Sequence, residues 1–454
     1  VDILFAIGIA GGVEMAQASS LEIDVWLDQR PLGGFQRRLL LLCGLLMILD
    51  GVDVQAMAYV APALLADWGL AKPSLGPVFS AGLLGLLLGA LLFSPLADRF
   101  GRRALLLLCT LWFGLGMLAT AFAATLEHLL WLRFLTGLGL GGIMPNAMAL
   151  AGEYSPLRRR VSMMMLISCG FTVGALLGGL LAAWLVPAHG WRAVFAVGGA
   201  APLLLALWMW RQLPESLQFL LSRQRREQAL FWLRRLDPAM SGTTVSCLTL
   251  REPVAAASLP HLFRAGRARL TLTLWTLSFL NLLLLYFLSN WMPALARDAG
   301  LDTQSAILAG AALQLGGVAG TLLLGIWIDR LGFLRVMLPS FALAAAAVAM
   351  LGQLGAQQAG LFGLLFAAGF CVVGGQPAIN ALAANAYPTS LRATGVGWSL
   401  GVGRVGSVLG PWLGGELLRQ DWSLASLFML AATPALLAAW LVWMCPQAER
   451  PVAG

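Results

Sequence analysis

Charge is scarce in this chain. Asp, Glu, Lys and Arg make up 11% of its residues and hydrophobic side chains 59%, against roughly 25% charged in an ordinary soluble protein. That balance excludes a soluble globular chain and implies an integral membrane protein. Histidine is scarcer still: His128, His189 and His261 fall at the ends of apolar runs or in loops, so an intramembrane haem or metal enzyme would lack its ligands. Cys43, Cys109, Cys169, Cys247, Cys371 and Cys445 show no CxxC or CxxH spacing, and nearly all sit inside apolar runs. They read as small packing residues, not disulfide partners or metal ligands. No motif with a placed nucleophile, base or metal cluster appears, so the chain does not read as an enzyme, and no cofactor is expected.

Runs of about 20 apolar residues are plentiful. They give twelve spans, at approximately 38–65, 75–97, 104–125, 129–152, 161–186, 191–212, 268–295, 304–328, 333–354, 357–385, 393–418 and 423–445. The expected fold class is an all-α integral membrane protein of two six-helix halves. Its parts are an N-terminal segment (1–37), a first bundle (38–212), a central arginine-rich loop (213–267), a second bundle (268–445) and a tail (446–454). With the N-terminus inside, 23 basic residues fall on the cytoplasmic side and four on the other, Lys72, Arg192, Arg297 and Arg419. The positive-inside rule therefore places both termini in the cytoplasm. The net charge of +8 is then a topology signal and calls for no nucleic acid. Residues 1–14 begin with Val and carry no basic region ahead of their apolar stretch, which fits neither a signal peptide nor a span; the expected natural start is Met15.

Within the first span stand two acids, Asp50 and Asp53. Three residues apart on a helix, they share a face. An acid at the bilayer centre costs roughly 2.5–3.5 kcal/mol and is retained where it faces water or a partner. Two such carboxylates resist simultaneous ionisation, which suits a proton carrier; the alternative is a polar pair at a kink beside Gly51. Arg133 and Arg404 also fall inside spans. Arg404 lies among the glycines of GVGRVGSVLG, and its guanidinium fork suits a carboxylate, either a substrate's or that of Asp50 or Asp53.

The two halves repeat. Pro145 answers to Pro377, Gly174 to Gly406 and Gly178 to Gly410, each at an offset of 232, while Asp98 of ADRFGRR answers to Asp329 of IDRLGFLR at 231. Duplicated halves around a central cleft are an architecture of secondary transporters, with substrate sites near the midplane.

The loop SPLADRFGRR, with Ser94 where the usual pattern has Gly, resembles the signature of the major facilitator superfamily. Its second copy keeps Gly325 and loses the following arginine pair. More narrowly, LDGVDVQAMAYVAPAL, RFLTGLGLGGIMPNAMALAGEYSPLRRR and AYPTSLRATGVGWSLGVGRVGSVLGPWLGG resemble the aromatic acid:proton symporters. The resemblance implies import of an aromatic carboxylate such as 4-hydroxybenzoate, protocatechuate or vanillate across a bacterial inner membrane. The proton is the coupling ion, and a monomer embedded in lipid performs the cycle. It also implies proton coupling for Arg133 and an inner-gate role for Asp98, Arg99, Arg102, Glu153, Arg158, Asp329, Arg330 and Arg392. Residue chemistry adds Asp50 and Asp53 as the proton carriers, Arg404 as anchor for the substrate carboxylate, and Gln55, Tyr59, Asn146, Gln376, Asn380 and Trp398 around the ring, since an amide inside a span is costly unless it meets a helix or a ligand. Pro214-Glu215-Ser216 reads as structural. The rivals are a proton-coupled efflux antiporter, an importer of another acid such as a hydroxyphenylpropionate or muconate, and a non-transporting sensor. Against efflux, the fifth span carries GFTVGALLGG without the proline of the exporter motif; against a sensor, no appended soluble domain is apparent.

Overall fold

The computed structural model describes residues 20–237, 247–249, 259–264, 266–353 and 358–445. Residues 1–19, Met15 among them, and 446–454 lie outside the described set. Long helices dominate. The first half holds span 1 (Gly34–Trp68), span 2 (Leu75–Phe100), span 3 (Arg102–Ala121), span 4 (Leu126–Gly141 and Ile143–Glu153), span 5 (Leu157–His189) and span 6 (Trp191–Gln212). The second holds span 7 (Ala268–Asp298), span 8 (Thr303–Leu331), span 9 (Phe333–Leu351), span 10 (Gln358–Val372 and Gly375–Ala386), span 11 (Thr389–Arg419) and span 12 (Leu424–Trp443). Eleven of these helices are apolar enough to cross a membrane on composition alone. Span 11 falls short although it is 31 residues long, because Arg404 and its many glycines dilute the apolar content. One short parallel strand pair departs from the all-α expectation: Ser20–Glu22 of the N-terminal segment lies against Cys247–Thr249 of the central loop.

Spans 4 and 10 are each broken near the middle, and the sequence repeat accounts for it. Pro145 and Pro377 occupy the third position of the second piece in each span, where the ring excludes the carbonyl four residues earlier and the missing N–H removes a helix bond. The repeat-matched glycines act in pairs as well. A Cβ at Gly174 would lie 2.0 Å from the Ile48 carbonyl oxygen, and one at Gly406 would lie 2.3 Å from that of Phe279. Span 5 thus packs backbone to backbone on span 1, and span 11 does the same on span 7. Small residues that let helix backbones touch are the usual means of association in lipid, where no hydrophobic driving force is left to use.

The apolar cores show how the halves sit. At the arginine-poor end one core mixes both, with Tyr59, Phe79 and Val186 packed together with Leu288, Trp291 and Ala309. At the arginine-rich end the cores are separate, one built from the first half and one from the second. Polar contacts repeat the pattern: Lys72 pairs with Asp298, Ser80 Oγ donates to the Val408 carbonyl at 2.8 Å, and Phe79 meets Trp291 edge-on at 5.3 Å. The bundle is closed at the arginine-poor end and parted at the other. Large apolar side chains such as Leu166, Leu204 and Trp184 stand exposed on its flanks, as lipid-facing positions require.

Candidate functional site

Between the halves lies a cavity of about 160 Å³, lined by spans 1, 4 and 5 from one side and 7, 8, 10 and 11 from the other. An apolar cavity of roughly 150 Å³ accommodates a benzene ring, so the size is that of a single aromatic ring. Most of the lining is apolar, from Phe171, Leu282, Leu285, Val373 and Leu400. Among the described residues its one cationic group is Arg404. The guanidinium donates to the Tyr286 hydroxyl at 3.2 Å and approaches the Met144 sulfur at 3.9 Å. Neither partner is anionic. Each of these nitrogens keeps a further N–H for a carboxylate in the cavity, and among the described residues Arg404 forms no ion pair with Asp50 or Asp53.

The two acids of span 1 have different surroundings. Asp53 is fully buried and locked to Arg133 of span 4, whose Nη1 donates to Oδ1 at 2.9 Å while Nη2 donates to Oδ2 at 3.3 Å and to the Asp53 carbonyl at 3.2 Å. Beside this pair a chamber of about 20 Å³ reaches Asn290, room for one water. Asp50 is also buried, at 3% exposure, but its Oδ1 has no hydrogen-bond partner. Arg404 across the interface and Asp53 on its own helix are the charges within electrostatic reach of it.

Of the expected ring contacts, Gln55, Gln376 and Asn380 line the cavity. Gln55 Nε2 donates to the Ser289 carbonyl at 3.3 Å, and Gln314 Nε2 donates to Ser289 Oγ at 3.1 Å, closing the arginine-poor end of the chamber. Three expectations are corrected. Tyr59 is wholly buried in the closed end, its hydroxyl donating to the Ala175 carbonyl at 2.7 Å. Asn146 satisfies its amide on the Gly142 carbonyl at 2.7 Å, one turn back at the break in span 4. Trp398 stacks on Trp275 and is 44% exposed on the bundle's flank; six residues before Arg404 is not a whole number of turns, and it turns the ring away from the cavity.

The expected gate residues pair within the first half and, among the described residues, form no ion pair across the halves. Arg102 pairs with Glu153, which also accepts from Ser216 Oγ at 2.8 Å, while Glu215 accepts from the Arg103 amide at 3.1 Å. Pro214-Glu215-Ser216 therefore ties the ends of spans 3, 4 and 6 within the first half. Arg158 donates from its amide to Asp28 at 3.0 Å and from its side chain to the Arg30 carbonyl at 2.9 Å. Asp98, Arg99, Asp329, Arg330 and Arg392 are exposed, and none of them joins a cross-half ion pair among the described residues. Tyr286, Ser289, Gln314 and Asn281 escaped the sequence reading. Each is a polar residue inside a span, a position costly unless it meets a partner or a cavity, and that cost is the signal by which the sequence marks them.

Two six-helix bundles around one ring-sized cavity, closed at a single end, define a membrane carrier that works by alternating access, and this chain belongs to the Major Facilitator Superfamily, whose sequence model matches residues 43–314 and 274–454. It is a transporter and not an enzyme. It is 41% identical to a gallate transporter of Pseudomonas putida over 92% of this chain and 94% of that protein. It is equally 41% identical, over 92% and 94%, to a 4-hydroxybenzoate transporter of the same organism. A 3-(3-hydroxy-phenyl)propionate transporter of Escherichia coli is 35% identical over 90% of this chain and 93% of its own length. The solved structure of a D-xylose-proton symporter superposes with a TM-score of 0.72 at 17% identity, covering 90% of this chain and 98% of that one, which shows the fold.

Proposed function

We propose that this carrier imports a hydroxylated aromatic carboxylate, of the class of 4-hydroxybenzoate, protocatechuate and gallate, together with protons. The observation that carries the reading is Arg404, a cation with no carboxylate partner among the described residues, facing a ring-sized, largely apolar cavity between the halves. The relatives named for 4-hydroxybenzoate and gallate favour the same class. The reading takes the arginine-rich end and both termini as cytoplasmic, so that the conformation described is the one open to the cytoplasm of a bacterial inner membrane. It also takes a single chain as sufficient for the cycle.

The physics of coupling follows from the charges. Moving an anion inward against an inside-negative potential costs about 2.3 kcal/mol per 100 mV, and a proton carried with it cancels that cost. Asp50 is the group positioned to take the proton. A substrate carboxylate arriving on Arg404 neutralises the cation that Asp50 faces, and Asp50 is then better off neutral. By linkage, a protonated Asp50 leaves Arg404 free for the substrate, so proton and anion favour each other's binding. The Asp53–Arg133 pair, both members in the first half, holds spans 1 and 4 in register beside it.

The test is uptake of labelled 4-hydroxybenzoate and protocatechuate into proteoliposomes under an imposed inward proton gradient, wild type against Asp50→Asn. Gradient-dependent accumulation by wild type and its loss in the variant are expected. No uptake by folded wild-type protein would overturn the substrate class, and undiminished accumulation by Asp50→Asn would overturn the proton site.

A further inference from the structure

A chain of three amides runs into the cavity from the second half, and its polarity is fixed. Asn281 of span 7 is 2% exposed. Its Nδ2 donates to the Val372 carbonyl at 3.1 Å and to Gln376 Oε1 at 2.8 Å. A backbone carbonyl can only accept, so the Asn281 side chain has one workable orientation: turned over, it would set two acceptors against each other. Both N–H groups of Asn281 are thereby used. Gln376 must then accept through Oε1 and present Nε2, which donates to Asn380 Oδ1 at 3.3 Å and lies 3.5 Å from Ser278 Oγ. Asn380 in turn is left presenting its Nδ2 donors. It lines the cavity that Arg404 also lines, and no partner for that amide nitrogen is found among the described residues.

We infer that Asn380, held by Asn281 through Gln376, donates a hydrogen bond to an oxygen substituent on the ring and so sets a preference for oxygenated over unsubstituted aromatic carboxylates. The inference rests on the aromatic-acid reading above. Asn380 is the group that touches substrate; Asn281 and Gln376 are positioning residues. The arrangement separates two tasks. Arg404 and Tyr286 read the carboxylate that every member of the class shares, and the amide chain reads what distinguishes members. A site built to donate a hydrogen bond discriminates against an analogue lacking the acceptor, because the Asn380 donor, half-buried in the free cavity, is covered by the bound ring and left unpaired. The polarity adds a finer demand. The ring oxygen acts as an acceptor, so a methoxy group, which can only accept, serves as a hydroxyl does, whereas a methyl group of similar reach does not.

The experiment is competition against labelled 4-hydroxybenzoate uptake in proteoliposomes by benzoate, 4-methylbenzoate and 4-methoxybenzoate, with KM measured for 4-hydroxybenzoate and benzoate. Wild type is expected to favour the hydroxy and methoxy acids over the methyl acid and benzoate. In Asn380→Leu the preference of 4-hydroxybenzoate over benzoate is expected to fall about tenfold, the worth of one buried hydrogen bond. Asn281→Ala, which touches no substrate, is expected to lower the same ratio in the same direction. A general packing defect would instead weaken both acids alike. An unchanged ratio in Asn380→Leu protein that still transports overturns the inference and leaves the aromatic-acid reading standing. Failure of wild type to take up any of these acids overturns both.

Discussion

Asp50 and Asp53 occupy neighbouring positions on one helix, yet their removal should have opposite consequences. Asp53 and Arg133 are 0% and 5% exposed and paired in a fork. Taking away one member strands the other's charge in the interior, at about 3–5 kcal/mol. Asp53→Asn and Arg133→Leu are therefore expected to lower the unfolding temperature in detergent and the yield of monodisperse protein, and the paired change Asp53→Asn with Arg133→Gln to recover part of the loss. Asp50 Oδ1 has no hydrogen-bond partner, so Asp50→Asn strands no hydrogen-bonded partner and leaves Arg404 its contact with Tyr286. That variant is expected to unfold at or near the wild-type temperature and to retain exchange of labelled for unlabelled substrate at equal pH while losing gradient-driven accumulation. Equal destabilisation by Asp50→Asn and Asp53→Asn, seen in a thermal-shift series, would contradict this division of labour.

Helices touch through backbone in this molecule, and that sets what an element tolerates. A Cβ at Gly51 would lie 2.0 Å from the Phe171 carbonyl oxygen of span 5, an approach no side chain can make. Gly51→Ala must push spans 1 and 5 apart beside the two acids. It is expected to cut transport severely, whereas Gly44→Ala on the same helix, with nothing within 4 Å of its Cβ, is expected to leave transport intact; comparable uptake by both would refute the packing account. These contacts explain what could be read in advance. Twelve spans follow from apolar length; spans 4 and 10 read as continuous, although Pro145 and Pro377 with their matched spacing mark where the structure breaks each of them. Arg404 and the acids announced themselves because charge in a span is expensive. Burial and helix rotation were not legible. Tyr59 and Trp398 are aromatic residues in the right spans, but only the packed bundle tells that one is sealed in the closed end and the other faces outward. Which acid Arg133 would take was equally hidden, since the distance between residues 53 and 133 is a property of how span 4 leans on span 1.

Alternating access requires the closed end to open, and the contacts that must break are few and identifiable. Lys72 is the chain's only lysine, and its ion pair with Asp298 joins the first half to the second above the Phe79–Trp291 contact. An exposed pair of this kind is worth only about 0.2–1 kcal/mol, a modest bias that closure can release at every turnover. Directly below, Gly76 of span 2 faces Gly415 of span 11, with a Cβ at Gly76 lying 3.1 Å from the Gly415 Cα. Backbones this close lie at the short end of the roughly 4.4–6.8 Å Cα separation over which cysteines bridge, so the pair Gly76→Cys and Gly415→Cys is expected to cross-link once the two helices give slightly. In a background with the six native cysteines replaced, the oxidised double variant is expected to lose uptake and to regain it on reduction. Each single variant should transport whether oxidised or not, which separates the cross-link from the crowding that a Cβ brings here. If the double variant is shown by mass spectrometry to be bridged and still accumulates substrate, spans 2 and 11 do not separate during transport, and the route by which substrate enters must lie elsewhere in the bundle.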